Sequence, residues 1–126
     1  MKRIEHIGIA VSDIENSNKV FEKIFGKENF KEEKVEPEGV ITSFFQIGEN
    51  KIELVAATNT DSPISKYLEK IREGMHHIAF DVEDIEKEMD RLKKEGIRLL
   101  NDTPKKGADN KLICFLHPKD TNGVLI

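Results

Sequence analysis

The chain has a single cysteine, Cys114, among 126 residues, which excludes an internal disulfide. Ile113 and Phe115 flank it and no nucleophile motif surrounds it, so it reads as a small core residue in a reducing compartment. No apolar run approaches the roughly 20 residues of a membrane span. Basic residues are not in excess: 20 Lys and Arg stand against 24 Asp and Glu, a net charge of -4. Both signs are scattered, so nothing marks a nucleic-acid surface. Low-complexity segments are absent. So is the apolar region of a signal peptide, since MKRIEHIGIA enters a strand-like alternation at once; the expectation is a cytoplasmic protein. What remains is 37% hydrophobic and 35% charged. It is long enough to bury a core, as one domain or as two small halves packed together.

The most informative feature present is a repeat. Residues 6–15 read HIGIAVSDIE, and residues 77–86 read HIAFDVEDIE. Six of the ten positions are identical. The two phrases and their immediate neighbourhood hold His6, His76 and His77, three of the four histidines. Each phrase leads into an amphipathic pattern that ends at a glycine. Ile14, Phe21, Ile24 and Phe25 precede Gly26; Ile85, Met89 and Leu92 precede Gly96. Ser12 and Glu15 predict a capping box for the first helix, and Asp84 is the expected cap of the second. The charged stretch KENFKEEKVEPEG, then GVITSFFQIG and KIELVAA, follow the first helix; IRLLNDTPKKGADN, then KLICFLHP and VLI, follow the second. Each half therefore reads β-α-β-β-β. Between them, Asp61 or Ser62 can cap a short helix with Pro63 in its first turn.

Alternation divides each phrase into two faces. Ile7, Ile9 and Val11, with Ile78, Phe80 and Val82, form the bulky face expected under the helices. His6, Gly8 and Ala10, with His77, Ala79 and Asp81, form a small and polar face with room in front of the imidazoles. By the same alternation His76 points the other way and is expected to pack or support rather than ligate. If a pseudo-twofold relates the halves, their first strands lie side by side and His6 and His77 converge. Neutral imidazole is a common ligand of divalent transition metals. Glu53 lies between Ile52 and Leu54, and a carboxylate inside an apolar strand is costly unless paired or metal-bound. Alone it would read as a water-facing residue of an edge strand. Beside two converging histidines it reads as the third ligand. Its counterpart in the second half would follow Val124-Leu125-Ile126, at position 127, where the expectation is that the sequence as given stops short of it.

These residues resemble the vicinal oxygen chelate superfamily, which includes glyoxalases, extradiol dioxygenases, antibiotic-resistance proteins and methylmalonyl-CoA epimerases. IEHIGIAV, DSPISKYL, GMHHIAFDV and KKGADNKLICFLHPKDTNGVLI are most similar to the epimerases. The resemblance implies an α+β fold, with paired βαβββ modules forming a curved mixed sheet around a metal and substrate cleft. It implies one domain over 1–126, with a first module to about 58, a linker helix at about 62–73 and a second module from about 74. It implies that His6, Glu53 and His77 hold a divalent metal (Co, Ni, Zn, Mn or Mg), with a fourth glutamate after Ile126. Glu53 is also the expected catalytic base, and the segment around Thr42 aligns too loosely to supply another. The implied reaction is inversion of methylmalonyl-CoA at C2 by proton abstraction and reprotonation through a metal-stabilised enolate. The partners are then an acyl-CoA substrate and a second copy in a homodimer, with no nucleic acid or membrane. His117 and Lys119 are the expected substrate-binding residues. The alternatives within the same fold are a lactoylglutathione lyase and a non-catalytic binding protein.

Overall fold

The computed structural model describes residues 1–126. Its first half is β1 (Arg3–Ala10), α1 (Ile14–Phe25), β2 (Lys31–Val35), β3 (Val40–Ile47) and β4 (Asn50–Ala57). The linker helix α2 (Pro63–Lys70) leads to β5 (Gly74–Asp81) and α3 (Ile85–Lys94). Two-residue strands β6 (Lys105–Lys106) and β7 (Leu112–Ile113) follow. This is a mixed α+β fold.

Five strands make one sheet in the order β2-β3-β4-β1-β5. β1 is central to the site: it runs parallel to β4 and antiparallel to β5. The two opening strands of the repeat are therefore neighbours, as the pseudo-twofold requires. One sheet face carries the core of the first half. Val11, Phe45, Leu54 and Ala56 are buried there, with Phe21 and Phe25 of α1 packed over them. The Phe25 and Phe45 rings meet edge to face at 5.4 Å between centroids. A second cluster of Val35, Val40, Val55 and Ile64 ties α2 to the sheet.

The helix ends follow local chemistry. Asp84 caps α3 by accepting from the Lys87 N–H at 3.1 Å, and Ser62 caps α2 by accepting from the Ile64 N–H at 3.2 Å. At α1 the cap is Asp13, not the expected Ser12: its carboxylate accepts from the Asn16 N–H at 3.1 Å. A charged acceptor one residue later displaces the hydroxyl. Gly26 closes α1 with φ +70, the left-handed geometry that glycine adopts without a Cβ penalty.

The second half departs from the expected three further strands. Beyond the two-residue β6–β7 pair, its strand-like segments are joined by one or two backbone bonds each. Ile78 N–H donates to Leu125 O at 3.0 Å, Leu116 N–H to Ile126 O at 2.8 Å, and Leu100 N–H to Phe115 O at 2.8 Å. Neighbour by neighbour, β5, 125–126, 115–116 and 99–100 lie in the order that β1, β4, β3 and β2 have in the first half. The plan is repeated, but the polar run NDTPKKGADN interrupts it with turns and leaves little regular strand.

Candidate metal centre

Three adjacent strands each place one side chain on the sheet face opposite α1. β1 carries His6, β4 carries Glu53 and β5 carries His77. Registration fixes their approach, because Gly8 pairs with Glu53 on one side and with His77 on the other. Gly8 leaves the gap above β1 into which the His77 ring leans. β4 lies inside the sheet, and Glu53 is only 6% exposed, so it is not the water-facing residue of an edge strand.

The three donor atoms form a tight triangle. His6 Nε2 and His77 Nε2 are 2.9 Å apart. Glu53 Oε1 lies 3.7 Å from the first and 3.4 Å from the second. Ligands held about 2.0–2.2 Å from one cation stand about 3.0 Å apart at right angles and about 3.4 Å at the tetrahedral angle. The triangle thus matches one face of a cation's coordination shell, and two imidazoles with one carboxylate are a donor set for divalent transition metals.

The far side of each imidazole is also occupied. His6 Nδ1 bonds the Glu5 carboxylate, and Lys51 Nζ donates to the other Glu5 oxygen at 2.7 Å. These contacts hold the Glu5 carboxyl down at about 2: the His6 hydrogen bond leads, burial opposes it, and Lys51 adds to the lowering. His77 Nδ1 lies 2.9 Å from His76 Nδ1. His76 in turn stands edge-on to Tyr67 of α2, 4.7 Å between ring centroids. Burial, then the neighbouring His77, pushes the His76 ring down to about 4, so it is a neutral acceptor at pH 7. The tautomers that free both Nε2 atoms put a proton on each Nδ1. His6 then donates to Glu5 and His77 to His76, the supporting pattern that orients metal-bound histidines.

Strict alternation missed Glu5, and it placed His76, expected to pack or support, on the wrong face. The β1–β5 register shifts between Ile4 and His6 and again between Gly8 and Ile9, where β5 skips from His77 to Met75. Glu5 and His76 are the extra residues of these bulges, and each lines the cleft beside its neighbour instead of facing away from it. For Glu5 the only sequence signal was a carboxylate directly before the histidine in IEHI.

The cleft in front of the triangle has a volume of about 770 Å³, within the range of small-molecule sites. Val40, Thr42, Phe44 and Val55 line it, as do residues of the 105–116 segment and of α3. Ile78, Phe80 and Val82, expected under the helices, also line it, with Met89 and Leu92 of α3. His117 and Lys119, expected at the substrate, do not line the cleft. His117 Nδ1 accepts from the Lys119 N–H at 3.2 Å and caps the turn at Pro118–Asp120, while Lys119 is exposed. Cys114 does line it, half-buried, with its thiol pushed up by burial and therefore poorly nucleophilic.

Residues 5–115 match the family model of the Glyoxalase/Bleomycin resistance protein/Dioxygenase superfamily. The chain is 40% identical to an ethylmalonyl-CoA/methylmalonyl-CoA epimerase of Cereibacter sphaeroides over 126 residues, covering 98% of this chain and 94% of that one. The chain belongs to this superfamily, in its methylmalonyl-CoA epimerase family. Human mitochondrial methylmalonyl-CoA epimerase is 38% identical over 98% of this chain and 71% of its own length. Among solved members of the family, a variant of Streptomyces coelicolor methylmalonyl-CoA epimerase in complex with 2-nitronate-propionyl-CoA superposes with a TM-score of 0.95. It is 37% identical, over 99% of this chain and 94% of that one. No helix is long and apolar enough to cross a membrane.

Proposed function

We propose that this chain is a metal-dependent methylmalonyl-CoA epimerase in which His6, Glu53 and His77 hold the divalent cation. The observation that carries the assignment is the triangle of two Nε2 atoms and one Oε1 atom, at 2.9, 3.4 and 3.7 Å, at the head of a cleft in a chain of the epimerase family.

The hydrogen at C2 of methylmalonyl-CoA lies between a thioester and a carboxylate. Its removal places charge on the thioester oxygen. A cation in the triangle would supply the Lewis-acid polarisation that stabilises this charge. His6 and His77 hold their positions through Glu5 and His76, so they need no reorganisation as charge develops. Glu53 directs Oε1 towards the histidines, and its second oxygen is left to take the C2 proton; inversion then requires a second acid to return a proton to the opposite face of the enolate. The apolar side chains of Val40, Phe44 and Val55 exclude water and accommodate an alkyl substituent. The family reading also carries a homodimer in the cytoplasm, checked by light scattering and fractionation.

Incubating the metal-loaded protein with methylmalonyl-CoA in deuterated buffer should exchange the C2 proton and equalise the two epimers. The hemithioacetal of glutathione should remain unchanged. Absence of C2 exchange would refute the assignment.

A further inference from the structure

A chain of ion pairs leaves the back of the metal triangle and ends on the strap that lines the cleft. It begins where the Glu5 carboxylate bridges His6 Nδ1 and Lys51 Nζ, the latter at 2.7 Å. Lys51 Nζ also donates to Asp109 Oδ2 at 3.1 Å, and Lys31 Nζ donates to Asp109 Oδ1 at 2.9 Å. The Asp109 N–H donates to Glu33 Oε1 at 2.9 Å, and Glu33 closes the group by pairing with Lys31 at 3.2 Å. Lys51 is thus the one residue that touches both the support of a metal ligand and the strap. Its side chain is only 15% exposed, and Glu5 is only 10% exposed, so this link is shielded from solvent.

The strap turns through two left-handed residues, Asp109 and Asn110, of the types that tolerate this geometry best after glycine. Asp109 has φ +59 and ψ +33, and Asn110 has φ +55. Such geometry persists where its surroundings over-determine it, and here the three contacts to Asp109 from Lys31, Lys51 and Glu33 do so. Those contacts cross from the second half of the chain onto the first. They pull Ala108 and Asp109 against the cleft.

We infer that Lys51 and Asp109 are positioning residues that couple closure of the 107–111 strap to the orientation of His6, so that metal loading and strap closure favour one another. The inference rests on the proposed metal role of His6. A cation held by His6 Nε2 would fix the ring, the ring would fix Glu5 through Nδ1, and Glu5 would fix Lys51 where its Nζ donates to Asp109. Linkage makes the effect reciprocal: whatever metal does for the strap, the closed strap does for metal affinity.

The test is amide hydrogen exchange of the full chain with and without Co or Zn, alongside calorimetric metal titration. In the wild type, metal should slow exchange at Gly107 and Asp109 by on the order of tenfold. Asp109→Asn, a change at a partly exposed side chain, should abolish that slowing and weaken metal binding by about tenfold. Lys51→Met should do the same, and Lys51→Arg should restore both. A merely structural role would change exchange equally with and without metal. Metal binding that leaves strap exchange unchanged in the wild type overturns the coupling while leaving the metal site standing. No metal binding in the wild type overturns both.

Discussion

The imidazole of His77 occupies the space that a side chain at Gly8 would need. A Cβ on Gly8 would overlap His77 Cε1 and Nδ1 and come within 2.6 Å of Nε2. Gly8 is also paired with Glu53 across β4, so the residue without a side chain is the one on which two proposed ligands converge. Gly8→Ala must push the His77 ring out of the triangle or spread β1 from β5. The expected result is a cost of about 1–3 kcal/mol in urea unfolding, together with a loss of bound metal. Equal metal content in wild type and variant would show that the ring does not depend on the gap.

Glu53→Gln keeps the shape of the side chain and removes its charge and its basicity. Turnover should fall by about 10²–10⁴-fold, with C2 deuterium exchange falling in parallel. Exchange that survives while epimerisation is lost would place Glu53 on the reprotonating side instead. His6→Ala and His77→Ala should each remove stoichiometric metal, read by elemental analysis after dialysis.

Glu5 touches no proposed substrate atom, yet it holds the far nitrogen of His6. Glu5→Gln should weaken metal affinity by about 10–100-fold while leaving the far-UV spectrum unchanged. Unaltered affinity would mean that the sheet alone orients the ring.

Phe45 is wholly buried where α1 meets the sheet, against Phe21 and Phe25. Phe45→Ala should destabilise the fold by about 3–5 kcal/mol. Because Phe45 lies on the face away from the cleft, metal affinity of the folded fraction should be retained. Loss of affinity in proportion to the whole destabilisation would show that the two faces are coupled.

Asp120 anchors the turn before the last segment. It accepts two bonds from the Arg98 guanidinium, at 3.0 and 2.8 Å, and one from the Arg98 N–H at 2.8 Å. The Arg98 side-chain bonds lead in holding its carboxyl below the usual carboxylate range. A folded-state value below the unfolded one adds stability above the unfolded pKa of about 4, and that stability fades as the pH falls further. The difference in urea midpoint between wild type and Asp120→Asn should therefore be largest near neutrality and shrink below about pH 4. A difference that stays constant down to pH 2 would exclude the carboxylate as its source.

The repeated phrase, its alternation and its helix stops were enough to place the elements of the first half and the helix α3, and to group His6, Glu53 and His77. Local rules govern those features: side-chain period, caps and the cost of an apolar-flanked carboxylate act over a few residues. The tertiary structure decided what depends on register. Two bulges turned Glu5 and His76 into the cleft, against a strict period of two, because one extra residue reverses the face of everything it displaces. Pairing across 46 residues set Lys51 between Glu5 and the strap, a juxtaposition that no local window contains. His117 and Lys119 went elsewhere for the opposite reason: a proline turn satisfied His117 with the next backbone N–H within reach, and the pair never entered the cleft.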